Sequence, residues 1–310
     1  MRVLSTETMN RRVQIDVREY VTDSEGRYLR QVEKTARLLI ENGKEKPVIL
    51  ISGPSGSGKT TTAFRIRNAL RKMGVQTHAL SMDNYFLPLH DPRNEREPDG
   101  KIDFESPKRL DGELLNDHLE KISRGEEIIL PVFDFANQKR TEGERYRRKK
   151  NEFVIIEGIH SLNPGVTGCV SDSASGVYVS VRTRVKSKNG RLLHPSKIRL
   201  ARRLVRDKLF RGRHAAQTLE FFENVENGEK AYILPYKGLA EYNIDTFIAY
   251  ETAVYKHFLT DELNALRESY GKLERYAELA EVLAEILGVD LKYAPDDSLV
   301  REFAGGGGFR

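Results

Sequence analysis

The chain is short of cysteine, of long apolar runs and of internal repeats, and each shortage excludes a class of protein. Its one cysteine, Cys169, excludes an internal disulfide and a cysteine metal cluster, which fits a reducing compartment. No apolar run approaches the roughly 18 residues that span a bilayer, so we expect no membrane helix. The opening residues lack the apolar core of a signal peptide, which predicts a cytoplasmic protein. The sequence has no internal repeat of about 20–50 residues, which argues against a solenoid or a propeller.

The residues that are present suffice for a sizeable core. The chain has 310 residues, 39% hydrophobic and 31% charged, which excludes a wholly disordered protein and fits one large domain or two modest ones. A formal net charge of +5 is consistent with a polyanionic partner. That charge is concentrated, because 13 Lys and Arg and a single acid, Asp207, lie between Arg182 and Arg213. In the rest of the chain, acidic residues outnumber basic ones.

Five short apolar runs, separated mostly by helical patterns, predict an α/β fold. Runs of this kind are typical of strands that are buried on both faces of a parallel sheet. Helices between such strands indicate right-handed βαβ units, with helices on both faces of the sheet. The runs cover residues 47–52, 75–81, 153–157, 177–181 and 244–250.

The segment after the first run matches the phosphate-loop pattern G-x-x-x-x-G-K-[ST] at every fixed position. Glycines let the backbone curl so that its N–H groups face phosphate oxygens, and the following helix adds its dipole. We expect Lys59 to reach the β- and γ-phosphates and the Thr60 hydroxyl to ligate Mg²⁺. The alternative is a glycine-rich turn that merely closes a βα unit. The residues assigned to ATP in this segment are Gly53, Pro54, Ser55, Gly56, Ser57, Gly58, Lys59, Thr60 and Thr61.

Two carboxylates lie where predicted strands end, and the carboxyl ends of parallel strands face the ligand crevice. Asp83 follows the second run, where it can take the proton of an acceptor hydroxyl or merely cap the next segment. Glu157 ends the third run, where it can serve Mg²⁺ or form a helix cap or a loop salt bridge. No N-K-x-D tetrapeptide occurs in the chain, which argues against a GTPase.

An arginine-rich stretch gives the strongest remaining signal. Its members Arg199, Arg202, Arg203 and Arg206 lie three or four residues apart, which predicts one shared helix face. Because like charges repel, such a face is best explained by an anion beside it, and guanidinium groups match phosphate oxygens. The alternatives are a solvated basic helix and a patch for nucleic acid.

Taken together, these motifs resemble the uridine kinase and phosphoribulokinase family of P-loop kinases, and more closely its uridine-kinase-like branch. The resemblance covers residues 48–255 and implies a three-layer P-loop NTPase fold with a parallel β-sheet and an arginine-rich helical lid at about 186–214. It also implies transfer of the γ-phosphate of ATP, with Mg²⁺, to a hydroxyl of a nucleoside-like acceptor. The matching motifs, in order, are the phosphate loop, SMDNYF at 81–86, DFESP at 103–107, PVFDF at 131–135, IEGI at 156–159, the arginines of 202–213 and YILPYK at 232–237.

The resemblance also implies roles for individual residues. Asp83 looks like the general base, with Lys59 and Arg206 as its catalytic partners, while Thr60 and Glu157 look like the Mg²⁺ side of the site. Arg203 and Arg211 fall in the lid that closes over ATP. The positions that correspond to acceptor contacts are Asp83, Tyr85, Phe104, Glu105, Phe133, Phe135, Gln138, Arg140, Arg206 and Arg213.

Three departures from the family pattern concern the acceptor. Phe133 and Gln138 stand where uridine kinases carry a tyrosine and a histidine near the pyrimidine, and Phe221 replaces a glutamine that reads the base. Losing hydrogen-bond partners weakens discrimination of a polar base. A non-nucleoside sugar, polyol or sugar phosphate is therefore the alternative acceptor. A P-loop nucleic-acid-binding protein is the alternative from another class.

The chain divides into three predicted parts. Residues 1–46 form an N-terminal extension with a helix at about 29–40 that stops at Asn42-Gly43, and residues 47–260 form the kinase domain. Residues 261–310 carry a long helix that ends at Gly288 and a flexible or binding-ordered glycine-rich tail. We expect a small-molecule acceptor as partner, with no membrane and no nucleic acid, and a homo-oligomer stays open.

Overall fold

The computed structural model describes residues 2–43, 46–96, 100, 102–269 and 276–308. The strands are β1 (Val3–Ser5), β2 (Val48–Ser52), β3 (Thr77–Ser81), β4 (Glu127–Asp134), β5 (Lys139–Arg147), β6 (Phe153–Glu157), β7 (Ala174–Ser180), β8 (Arg184–Lys186), β9 (Leu192–Leu193) and β10 (Tyr242–Asp245). The helices are α1 (Thr6–Ile15), α2 (Val17–Asn42), α3 (Lys59–Lys72), α4 (Gly112–Arg124), α5 (Pro164–Thr167), α6 (Pro195–Arg211), α7 (Ala215–Gly228), α8 (Glu251–Ser269), α9 (Ala277–Glu285) and α10 (Leu299–Ala304).

Five parallel strands form the central sheet in the order β10-β7-β2-β6-β3. The middle strand, β2, pairs with β7 on one side and with β6 on the other. Each predicted apolar run contributes one of these strands, so the α/β prediction with a parallel sheet is confirmed. The fifth run is shifted: its strand covers Tyr242–Asp245, and residues 247–250 are buried beyond the sheet, where the chain enters α8.

Alternate side chains of β2 enter different cores, which explains why the strand is apolar throughout. Ile49 and Ile51 join the core that contains residues of α2, α3, α6 and α8. Val48 and Leu50 join the core that contains residues of α4 and β4. Because both faces are covered, each residue of β2 is buried, as expected for a central parallel strand.

The N-terminal residues pack on the sheet. Helix α2 ends at Asn42, in agreement with the predicted stop, and buries Tyr28, Val32 and Leu39 in the core shared with α3. Strand β1 pairs in parallel with β8, on the way from the central sheet to α6. Whether residues 1–46 form a unit of their own stays a prediction.

The C-terminal residues contain three described helices. The long helix predicted up to Gly288 falls on α8 and α9, α9 is capped at Ile286, and residues 270–275 lie outside the described residues. The start of the tail that was predicted as flexible or ordered by binding belongs to α10, in which Leu299 and Phe303 are fully buried. Among the described helices, none is both long and apolar enough to cross a membrane.

A buried ion pair joins α6 to the start of α8. The Arg202 guanidinium donates to both carboxylate oxygens of Glu251, at 2.7 and 3.0 Å, and both side chains are fully buried. The same guanidinium donates to the backbone carbonyls of Gly56 and Thr246. One side chain therefore ties α6, the loop before α3 and the end of β10 together.

We predict that Arg202→Met lowers the free energy of unfolding by about 3–5 kcal/mol, because Glu251 is left charged and unpaired in the core. Urea denaturation followed by circular dichroism measures the loss. Arg191→Met is the matched control, since Arg191 pairs with Glu281 at the surface, where such pairs contribute about 0–1 kcal/mol. Equal losses in the two variants would contradict the structural role of Arg202.

Candidate active site

A glycine-rich loop connects β2 to α3 at the carboxyl end of the sheet. Gly56 and Gly58 adopt left-handed backbone angles, with φ of +76° and +84°, which side chains other than glycine rarely adopt. A Cβ at Gly58 would also lie 2.6 Å from Cδ1 of Leu299. The Ser57 hydroxyl is buried and has no hydrogen-bond partner among the described residues. The left-handed glycines and the unpartnered Ser57 hydroxyl both suit a loop that surrounds an anion.

Lys59 is the first residue of α3, and its ammonium lies among carboxylates. Burial lowers the pKa of Lys59, while the charges of Glu157 and Asp83 oppose that shift. The ammonium makes a long hydrogen bond of 3.5 Å to the Pro54 carbonyl oxygen. Lys59 thus lies at the loop, where its charge interacts with those of Glu157 and Asp83.

Strand pairing brings the two acids together. β3 and β6 are neighbours, so Ser81 lies opposite Glu157 and its hydroxyl donates to Oε1 of Glu157 at 2.9 Å. The Thr60 hydroxyl lies 3.5 Å from the same oxygen. Burial, and then the charge of Asp83, raises the pKa of Glu157 to about 7. Asp83 is 74 residues from Glu157 in sequence, but the fold brings it close enough for its charge to act on the Glu157 carboxyl.

Asp83 lies in a short 3₁₀ turn, Met82–Tyr85, directly after β3. Burial raises the pKa of its carboxyl, and the charges of Lys59, Arg206 and Arg211 oppose the shift. A carboxylate that is partly desolvated and held between cations suits a group that accepts a proton. The structure therefore brings Asp83, Lys59, Glu157, Arg206 and Arg211 into one electrostatic cluster.

The arginines of α6 do not form one free face, which corrects the sequence interpretation. Arg202 belongs to the buried pair with Glu251, and Arg199 pairs with Glu229. Arg199 also donates to the Ser55 carbonyl at 3.1 Å, and Arg203 donates to the Ser55 hydroxyl. Helical spacing identifies the face but cannot identify which carboxylates, distant in sequence, neutralise its charges.

Two further arginines of α6 and one just beyond its end surround one carboxylate, Asp207, which is fully buried. Its oxygens lie 3.6 Å from Arg206 Nε, 3.2 Å from Arg211 Nη1 and 3.8 Å from Arg213 Nη1. Burial lowers the pKa of Arg206, and the charge of Arg203 lowers it further. Positive charge therefore exceeds the charge of the nearby carboxylate, which favours an anion at this end of α6.

Glu105 packs against Gly228 of α7. Its Oε2 is buried without a hydrogen-bond partner among the described residues. Burial raises the pKa of Glu105, and the charges of Arg203 and Lys59 oppose the shift. A Cβ at Gly228 would lie 2.3 Å from the Glu105 Cβ, so glycine is required there for the close approach. The carboxylate therefore has one acceptor oxygen without a described partner, under the influence of the charges of Arg203 and Lys59.

Three phenylalanine rings form an aromatic cluster near the turn between β4 and β5. Phe86, Phe133 and Phe135 pack edge to face, with ring centroids 5.0–6.2 Å apart. Phe133 is buried, whereas Phe135 is exposed at the turn between β4 and β5. Phe104 is also exposed, with the Arg109 guanidinium 5.5 Å from its ring.

Several predicted acceptor contacts are engaged elsewhere. The Tyr85 hydroxyl pairs with Nδ1 of His118 at 3.0 Å inside the core. Arg140 donates to Asp111 at 2.8 Å, and the Gln138 side chain donates to the Phe135 carbonyl. The Arg213 guanidinium lies 4.8 Å from the Phe221 ring, at the position of the lost glutamine.

Two polar groups were not assigned to the site from sequence. His160 follows β6; its ring is buried, packs edge to face against Tyr232 and lies beside the backbone of Glu105. Neither ring nitrogen reaches a described partner with hydrogen-bond geometry, and burial lowers the pKa of His160 to about 4. Glu302 of α10 accepts hydrogen bonds from Thr61 at the start of α3. The sequence signal for His160 is its position directly after the IEGI motif, whereas no local pattern indicates Glu302.

Comparison with known proteins identifies the family of the chain. The sequence profile of the Phosphoribulokinase / Uridine kinase family matches residues 48–253. "Uridine kinase" of Borreliella burgdorferi (strain ZS7) is 29% identical over 198 residues, which cover 63% of this chain and 84% of that protein. "Uridine kinase" of Halobacterium salinarum is 26% identical over 193 residues, which cover 62% and 76%.

A solved structure shares the fold. It is described as a "putative fructose transport system kinase from Silicibacter sp. TM1040", with a TM-score of 0.51 and 20% sequence identity, over 68% of this chain and 98% of that one. At that identity the likeness supports the fold alone. The family match, over about two-thirds of the chain, makes this protein a phosphotransferase with a hydroxyl acceptor. The chain belongs to the phosphoribulokinase and uridine kinase family.

Proposed function

We propose that the protein transfers the γ-phosphate of ATP to a hydroxyl of a nucleoside-like acceptor held between Asp83, Glu105 and the arginines of α6. The observation that carries the proposal is the convergence of a lysine, two carboxylates and several arginines that share a single carboxylate, Asp207, at the carboxyl end of the sheet. These groups are the ones that phosphoryl transfer requires: a phosphate cradle, a base and cations for the charge that develops.

ATP and Mg²⁺ fit the residues that are present. The left-handed glycines and the orphaned Ser57 hydroxyl suit a phosphate chain, whose oxygens can satisfy that hydroxyl. Thr60 and Glu157 offer two oxygens 3.5 Å apart, which suits Mg²⁺ because this ion takes one or two protein oxygens and completes its shell with phosphate and water. When bound, Mg²⁺ supplies charge that offsets the phosphate oxygens.

Asp83 is the proposed proton acceptor. Its carboxyl lies at the end of β3, where substrates of parallel sheets bind, and Lys59 and Arg206 keep it from being fully neutralised by burial. Glu157 is occupied with the Ser81 hydroxyl and lies close to Thr60, so it suits the metal side better than the base. The two acids therefore have separate tasks, set by their partners.

A non-nucleoside polyhydroxy acceptor is the second candidate. Glu105 and His160 both have buried polar atoms without a hydrogen-bond partner among the described residues, and such groups suit hydroxyls. The positions at which uridine kinases read the base carry Phe133, Phe221 and a Gln138 that is bonded to its own turn. This arrangement favours recognition of hydroxyls over recognition of a pyrimidine edge.

A panel of acceptors separates these candidates. ADP formation from ATP is measured with uridine, cytidine, fructose, ribose and glycerate, each against a blank without acceptor. Turnover with uridine or cytidine supports the nucleoside-like acceptor, and turnover with only sugars or polyols supports the second candidate. No acceptor-dependent turnover, together with steeply salt-dependent binding to random RNA, would instead support a nucleic-acid-binding protein.

We predict that Asp83→Asn lowers kcat by about 10²–10⁴-fold, because the amide cannot take the acceptor proton. The Kd for ATP, measured by calorimetry, stays within about fivefold of wild type, a change of about 1 kcal/mol or less, since the phosphate loop is untouched. Asp172→Asn, at an exposed position, is the matched control and keeps the wild-type kcat. A wild-type kcat in Asp83→Asn would disprove the base assignment.

Arg206→Ala tests the arginines of α6. We expect kcat to fall by about 10³-fold, with a much smaller rise in the acceptor KM, because the guanidinium stabilises charge that develops on the transferred phosphoryl group. Steady-state kinetics with ATP saturating separate the two constants. Equal changes in kcat and KM would assign Arg206 to substrate binding instead.

A further inference from the structure

The C-terminal helix α10 is firmly attached beside the phosphate loop. Leu299, Val300 and Phe303 are fully buried. The hydroxyls of Ser298 and Tyr250 both donate to Oε1 of Glu25, the latter at 2.6 Å. The glycines that follow fold back, with the Gly308 N–H donating to the Asp296 carbonyl at 2.9 Å. The segment is therefore part of the folded core rather than a loose end.

Two residues of α10 contact the nucleotide side of the loop. Leu299 fills the space in which a Cβ of Gly58 would lie. The Glu302 carboxylate accepts a hydrogen bond from the Thr61 hydroxyl and one of 3.3 Å from the Thr61 backbone N–H. These two donors stand in the first turn of α3, where backbone N–H groups have no partner within the helix.

Glu302 adds a negative charge to a place built for phosphate. Burial lowers the pKa of Lys59 and raises that of Glu157; the charge of Glu302 opposes the first shift and adds to the second, so it is felt at both groups. The positive end of the α3 dipole attracts any anion, and a carboxylate already held there competes with a second one. At separations of a few ångströms near a protein surface, two such charges repel each other appreciably.

We propose that Glu302 sets nucleotide affinity: its carboxylate occupies the Thr61 N–H and hydroxyl and repels the phosphate chain, so that α10 weakens nucleotide binding at the phosphate loop. The inference rests on the proposed nucleotide site. A group that competes in this way also favours release of the product nucleotide, because ADP gains less from the loop than it would beside a neutral side chain.

Glu302→Gln tests the inference, because the amide oxygen can still accept from Thr61 while the charge is removed. The Kd for ADP with excess Mg²⁺ is measured by isothermal calorimetry. We expect binding about 5–10-fold tighter than wild type at low ionic strength, with the gain shrinking near 1 M salt, where the screening length is about 3 Å. Asp297→Asn is the matched control, since it removes a charge from the same segment, where Asp297 pairs with Arg65, one turn further along α3 than Thr61.

Tighter binding in Glu302→Gln with an unchanged Kd in Asp297→Asn supports the inference. Unchanged or weaker binding in Glu302→Gln, beside measurable binding by wild type, overturns the inference alone. An equal gain in both variants also overturns it, because the effect then comes from net charge rather than from the contact with Thr61. Absence of ADP binding in wild type and in both variants overturns the proposed nucleotide site, and the inference with it.

Discussion

The buried pair of Arg202 and Glu251 is the constraint on which the site depends. The Arg202 guanidinium donates hydrogen bonds to Glu251, Gly56 and Thr246. The Thr246 hydroxyl in turn donates to the Ser57 carbonyl at 2.7 Å. Removing either charge would leave the other unpaired in the core, which costs several kcal/mol. These contacts fix the position of the phosphate loop relative to α6.

That fixed position explains the rest of the arrangement. Once α6 is fixed at Arg202, the next residue, Arg203, reaches the Ser55 hydroxyl, and Arg206 comes one turn further along, toward Asp83. The Phe303 ring lies 5.2 Å from the Arg202 guanidinium, so the same side chain also supports α10 and its Glu302. One structural arginine thus fixes the positions of Arg203, Arg206 and Glu302 around the loop.

The sequence predicted the features that depend on local patterns. Apolar runs identified the five strands, and the loop pattern identified the turn after β2, because burial and backbone geometry impose those residue types locally. It could not separate the structural arginines, Arg199 and Arg202, from the others, since Glu229 and Glu251 lie 30 and 49 residues further on. It also missed α10, whose contact with Thr61 spans 241 residues. Pairing across such distances follows from the fold and not from spacing.

The most direct test of the account is ³¹P NMR of the protein with ATP, Mg²⁺ and an acceptor that supports turnover. Transfer to a hydroxyl predicts a new phosphomonoester resonance that grows in step with ADP and does not appear without the acceptor. ADP accompanied by inorganic phosphate alone, at a rate that is independent of any acceptor, would contradict the account.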